Sequence, residues 1–244
     1  MGTGWVAQRV HLPYISASSS IDLAAIVDPD PARLRSAAVA ADVATAPRIG
    51  GLRDDLDADL AVVCTPPDGH ASAIAECLAR GWHVICEKPF VTNSHDARTL
   101  ISTAARRGLA LRCCQTSRFR ADVLAVAEEV SSGRLGKVRH IRLTWRRANG
   151  VPASGGGRSV GALWDLGAHL VDLIWALSDL GDPTDIAASG MRLSPQQALR
   201  LTATWQGEPG EGAGDPCLAG AAVHLGFCTR DRQCGGTLGH RGSS

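Results

Sequence analysis

A lysine is fixed between a strand pattern and a proline in Val84-Ile85-Cys86-Glu87-Lys88-Pro89. An ammonium group there can donate hydrogen bonds to the oxygens of a small molecule. Pro89 restrains the residue before it to extended geometry, so the amine projects in a set direction. A solvated lysine at a strand end fits the same residues. Far along the chain, Asp165, His169 and Asp172 recur at i, i+4 and i+7, one stripe of a helix. Their neighbours Leu163, Trp164, Leu166, Leu170, Val171, Leu173, Ile174 and Trp175 are apolar. A helix apolar nearly all round is expected to be buried, and a buried carboxylate must be paired or functional. A histidine one turn from a carboxylate suits general-base chemistry. An Asp–His hydrogen bond that serves only the fold is the alternative.

Gly2-x-Gly4-x-x-Ala7 fits a dinucleotide fingerprint. The first glycine makes a tight turn and the second lets backbone approach a pyrophosphate. The small third residue lets the helix pack on its sheet, and the helix N-terminus opened by Trp5 and Val6 faces the phosphate charge. Asp28 follows at a strand end, where a carboxylate accepts from a ribose 2′-hydroxyl and repels a 2′-phosphate. This favours NAD, with NADP possible; a plain turn role for Asp28 before Pro29 is the rival. Thr65-Pro66-Pro67 ends another strand and His70 opens the next helix, facing the cofactor or only capping. The expected cofactor-binding set is therefore Gly2, Gly4, Trp5, Val6, Asp28, Thr65, Pro66, His70, Glu87 and Lys88.

Elements that could position these groups are readable in the pattern. Strands are predicted over 22–27, 59–64, 83–86 and 109–114, and helices over 6–16, 31–41, 70–80 and from Ser94 or Asp96 to 107. Gly81 and Gly108 stop two of the helices. Continuous apolar strands between helices imply a parallel sheet covered on both faces. After Arg118 the pattern changes to a helix over 121–130, an alternating strand over 137–146 and a Gly/Ser/Pro loop over 149–159. An apolar helix over 163–177 and a second alternating strand over 198–205 follow. The expectation is an α/β doubly wound Rossmann domain over 1–116 and a smaller α+β domain with an open, mainly antiparallel sheet over 117–205. From Gln206 the pattern is lost, and 206–244 is expected to be an irregular tail, or a stretch where the reading frame has changed.

Composition narrows the function classes. The 244 residues carry 25 Lys and Arg against 24 Asp and Glu, a net charge of +1. That balance offers no electrostatic footprint for nucleic acid or an acidic membrane surface. No apolar run spans a bilayer and no signal peptide is read at the N-terminus. Among 8 cysteines, Cys64, Cys77 and Cys86 lie in apolar patterns. They read as buried free thiols of a cytoplasmic protein. Cys217, Cys228, Cys234 and His240 match no zinc spacing, and no third ligand accompanies Asp165 and His169, so no metal site is expected.

Taken together, the fingerprint, Asp28, Thr65-Pro66-Pro67 with His70, Glu87-Lys88-Pro89 and the segment 161–172 resemble the glucose-fructose oxidoreductase/inositol dehydrogenase (Gfo/Idh/MocA) family. The resemblance runs over residues 1–205. It implies NAD(P)-dependent hydride transfer at a secondary alcohol or ketone of a sugar, cyclitol or other polyol, with Lys88, Asp165 and His169 as the catalytic group. It also implies a homo-oligomer. The family pattern has a strand before the Gly turn, where only Met1 stands, and more sheet strands in place of the tail. These departures support a rival reading: a truncated, non-catalytic relative or pseudogene product that binds a dinucleotide weakly or not at all.

Overall fold

The computed structural model describes residues 1–38, 43–136, 138, 140–146, 166–178, 185–193, 196–206 and 220–228. They fall into two compact units, Met1–Gln115 and a second beginning at Thr116.

In the first unit the chain enters a π-helical turn, Ala7–His11, that continues as α1 (Leu12–Ala17). Strand β1 (Ala25–Val27), α2 (Pro31–Ala38) and β2 (Ala44–Ala46) follow, then β3 (Leu60–Val63) and α3 (His70–Ala79). The unit ends with β4 (His83–Cys86), α4 (Ser94–Arg106) and β5 (Leu111–Cys113). Strand β1 pairs in parallel with β2, and β4 sits between β3 and β5 in a second parallel ladder. Met1 and Gly2 join the two ladders. The Gly2 amide donates to the Val27 carbonyl at 2.8 Å, the Met1 ammonium donates to Val62 at 2.7 Å, and the Cys64 amide donates to Met1 at 2.7 Å.

The core forms where the apolar face of β3 and β4 carrying Ala61, Val63, Val84 and Cys86 packs under α3 and α4. Val63, Ile74, Cys77, Leu78, Val84 and Cys86 are sealed from solvent, and Leu100 and Ala104 of α4 join the same cluster beside α3. Helix α3 stops at Gly81, whose φ of +82° is the left-handed conformation that ends a helix. Its successor turns directly into β4. The strands thereby deliver Cys64, Glu87 and Cys114, the residues just beyond them, to one end of the sheet.

The second unit contains a 3₁₀ turn (Thr116–Phe119), α5 (Ala121–Ser131), β6 (His140–Arg146) and α6 (Ala168–Ala176). Strands β7 (Asp185–Leu193), β8 (Gln196–Gln206) and β9 (Gly220–Cys228) complete its sheet. The order is β6-β9-β8-β7; β7–β8 and β8–β9 are antiparallel and β6–β9 is parallel. Strand β9 corrects the expectation of an irregular tail. Ala221, Val223, Leu225 and Phe227 alternate with Ala222, His224, Gly226 and Cys228, a period of two that surrounding glycines obscure. Pairing with two neighbours supplies what local propensity does not. Strand β2, also unforeseen, is three residues of Ala-Thr-Ala and too short for any period to show.

Candidate active site

The Gly turn is built on a steric fit. Gly2 has φ +76°, and a Cβ there would lie 2.8 Å from the backbone of Cys64 and Thr65. Only glycine lets the turn lie this close to the end of β3. Thr3 then fastens the turn to the end of β1: its amide donates to Asp28 Oδ2 at 2.6 Å and its hydroxyl donates to the same oxygen at 2.9 Å. Asp28 Oδ1 accepts from the Asp30 amide at 2.8 Å. Burial works to raise the Asp28 pKa, but the Thr3 and Asp30 donors hold it below the usual carboxylate value. Beyond the turn, a Cβ on Gly4 would meet nothing within 4 Å. The first intrahelical bond runs from the Gln8 amide to the Gly4 carbonyl at 3.1 Å, so the amides of Trp5 and Val6 precede the helical ladder, as the donors at a helix N-terminus that suit an anion do.

These residues fit a dinucleotide. The turn is pinned, space lies open over Gly4, and the shielded Thr65 hydroxyl oxygen has no hydrogen-bond partner among the described residues. A carboxylate has about four acceptor positions, and Asp28 spends three of them on Thr3 and Asp30, which leaves one for a ribose hydroxyl.

His70 is placed differently from the sequence reading. Only 1 % exposed, it has Nε2 2.8 Å from the Thr65 carbonyl, and Nδ1 2.9 Å and 3.1 Å from those of Pro89 and Phe90. An imidazole so enclosed does not contact a cofactor. It ties the loop after β3 to the loop after β4, the loop that carries Lys88.

Glu87 is likewise committed within the protein. Its Oε1 lies 2.9 Å from His11 Nε2, and its Oε2 accepts from the Lys88 amide at 3.2 Å. Burial opposes the charge on Glu87, and the His11 contact overcomes this and lowers its pKa. His11 is raised to about 10, first by a hydrogen bond to Cys64 and then by Glu87. Histidine and carboxylate therefore form a charged pair at neutral pH. Lys88 follows, half-buried, with a cis bond to Pro89.

In the second unit α6 presents His169 on its buried face, together with Leu170, Leu173 and Ile174. Asp172, one turn further along, is held by Arg118 in a two-pronged pair: Nε to Oδ2 at 2.6 Å and Nη2 to Oδ1 at 2.7 Å. That pair anchors α6 to the 3₁₀ turn. The pairing expected for a carboxylate on this helix is thus met at Asp172 by an arginine 54 residues away. Asp165 lies outside the described residues, as does the whole Asn149–Ser159 loop.

Two family models cover most of the chain. One, described as an oxidoreductase family with an NAD-binding Rossmann fold, matches residues 1–114; the other, the GFO/IDH/MocA C-terminal domain, matches 123–218.

The chain belongs to the Gfo/Idh/MocA oxidoreductase family.

Among curated Gfo/Idh/MocA relatives, D-glucoside 3-dehydrogenase of Escherichia coli is 31 % identical over 200 residues, covering 75 % of this chain and 53 % of that protein. Inositol 2-dehydrogenase of Rhizobium meliloti is 28 % identical over 175 residues, covering 71 % of this chain and 52 % of that protein. The chain spans about half the length of the curated relatives it matches. A dehydrogenase structure from Chromobacterium violaceum superimposes with a TM-score of 0.75 at 22 % identity, over 92 % of this chain and 64 % of that one, which shows the shared fold. Among the described residues no helix is long and apolar enough to cross a membrane.

Proposed function

We propose that this Gfo/Idh/MocA chain is an NAD-preferring oxidoreductase acting on a secondary alcohol or ketone of a sugar, cyclitol or related polyol. The observation that carries the proposal is the pinned Gly turn: Gly2 packed on the end of β3, Thr3 fastened to Asp28, and space open over Gly4. Gly2, Gly4, Trp5, Val6, Asp28, Thr65 and Pro66 would hold the dinucleotide. A nicotinamide cofactor, when bound, supplies the hydride acceptor for this chemistry. The preference for NAD rests on Asp28, whose charge is stabilised in place and would repel a 2′-phosphate.

Lys88, Asp165 and His169 are the proposed catalytic group. His169 takes the proton of the substrate hydroxyl. Asp165, four residues earlier on the same stripe, orients its ring and stabilises the imidazolium. Lys88 donates hydrogen bonds to substrate oxygen, held at its station by Glu87 behind it and by the loop that His70 ties down. The relatives named for a D-glucoside and for inositol support the polyol class.

The experiment is a thermal-shift screen with NAD, NADP and a panel of sugars and cyclitols, followed by NADH formation with each hit. The proposal expects a shift with NAD larger than with NADP, and reduction of NAD by at least one polyol. No shift with either dinucleotide would contradict it.

A further inference from the structure

One cluster of donor atoms in the first unit includes Glu87, which supports Lys88, together with two residues to which the proposed reaction gives no role. His11 is the last residue of the π-helical turn, Glu87 lies just beyond β4, and Cys114 lies just beyond β5. One ring nitrogen of His11, one carboxylate oxygen of Glu87 and the Cys114 Sγ all lie within 4.8 Å of one another, and each residue is partly buried. The three belong to separate segments of the chain, so local sequence does not explain why they meet.

Nitrogen, carboxylate oxygen and thiol sulfur make a donor set of borderline softness. Such sets suit zinc and its neighbours and not magnesium or calcium, which take oxygen alone. Bonds of roughly 2.0–2.3 Å arranged tetrahedrally put donor atoms about 3.3–3.8 Å apart. The His11–Glu87 separation of 2.9 Å lies just below that range, and the outer limit of 4.8 Å lies about an ångström above it. To hold a cation the site needs side-chain adjustment and the release of the His11 and Cys114 protons. Glu87 is already oriented from behind, since its other oxygen accepts from the Lys88 amide.

From this geometry we infer that His11, Glu87 and Cys114 form a binding site for a thiophilic divalent cation of the zinc class, with the fourth position open to water. A metal there would link the helix after the Gly turn to the ends of β4 and β5 and stabilise the first unit by mass action. Hydrogen bonding alone is the competing account. Burial pushes the Cys114 thiol up to about 12, and as a thiol it bonds to Glu87. The two accounts differ in what serine does at this position: it keeps a hydrogen-bond donor and removes the thiolate.

The test is a titration of chelator-stripped wild-type protein with Co²⁺, read by absorption, with melting curves in Zn²⁺ and in Mg²⁺. The inference expects one equivalent to give thiolate-to-cobalt charge-transfer absorption and tetrahedral d–d bands, displaced by Zn²⁺. It also expects the melting temperature to rise in Zn²⁺ and not in Mg²⁺. Cys114→Ser should abolish the charge-transfer band and weaken cobalt binding by about tenfold or more, while Cys77→Ser keeps both. Absence of the band in the wild-type protein overturns the site. So does a band that survives Cys114→Ser and His11→Gln but vanishes when Cys217, Cys228 and Cys234 are replaced. The wild-type titration decides the matter even if a variant folds poorly.

Discussion

Thr3 gives both its amide and its hydroxyl to one oxygen of Asp28, at 2.6 Å and 2.9 Å. The carboxylate proposed to select the dinucleotide is therefore also the brace of the turn that would carry the dinucleotide's phosphates. Binding preference and local stability are joined in a single side chain.

Asp28→Asn should show both roles. An amide offers one acceptor oxygen in place of two and brings an N–H toward a donor, which leaves at least one buried group unsatisfied. The expected loss is about 1–3 kcal/mol, measured by denaturant unfolding. Discrimination against NADP should narrow in a binding titration. The pH dependence has a definite sign. Asp28 is lowered from its ordinary value of 3.8, so its contribution is complete above that value and is lost as pH falls below it, through the lower folded value. The acid limb of the stability profile should flatten in the variant.

Gly2 and Gly4 should respond differently to the same substitution. At Gly2 a methyl group would collide with the backbone at 2.8 Å in a left-handed conformation, so Gly2→Ala should lower the melting temperature and abolish NAD binding together. At Gly4 a Cβ meets nothing in the protein, so Gly4→Ala should melt close to wild type and lose affinity for NAD. Paired calorimetric melting and NAD titration distinguish the two cases.

His70 is a positioning residue. His70→Ala would remove the ring's one N–H donor from the carbonyls it faces in a buried site, at about 1–3 kcal/mol for the group left unsatisfied. Because the tie holds the loop that carries Lys88, the expected kinetic signature is a fall in kcat with NAD affinity little changed. Steady-state kinetics and a dinucleotide titration check this split.

Arg118 and Asp172 should couple in a double-mutant cycle. A two-pronged charge-assisted pair is stronger than an ordinary one, but the Arg118 side chain is 42 % exposed and its share is screened by solvent. A coupling of about 1 kcal/mol is expected by urea unfolding. Since α6 also carries His169, either single variant should lower kcat more than its stability cost would suggest.

The sequence revealed what local pattern determines. Strand β4 runs from His83 to Cys86 as its apolar run predicts, because β3 and β5 flank it and helices cover it. The α3 and α4 stops at Gly81 and Gly108 follow from backbone freedom alone. Helix α4 opens at Ser94, one of the two starts its pattern offers, and Asn93 just before it is the cap, accepting from the Asp96 amide. What escaped was long-range. His11 meets Glu87 across 76 residues and Arg118 meets Asp172 across 54, and no spacing rule announces either pair. His70 was legible as a residue of interest but not as a tie between two loops, because its partners are carbonyls, which carry no sequence signature. The Cys114 thiol came to His11 only through the order of parallel strands.

The central claim is acid–base catalysis by His169 in a nicotinamide-dependent reaction, and the most direct measurement is turnover of a reactive polyol by wild type and His169→Ala, with NAD affinity measured on the same samples. The account predicts a fall in kcat of about 10²–10⁴-fold with NAD binding retained. Normal turnover by the variant would contradict it.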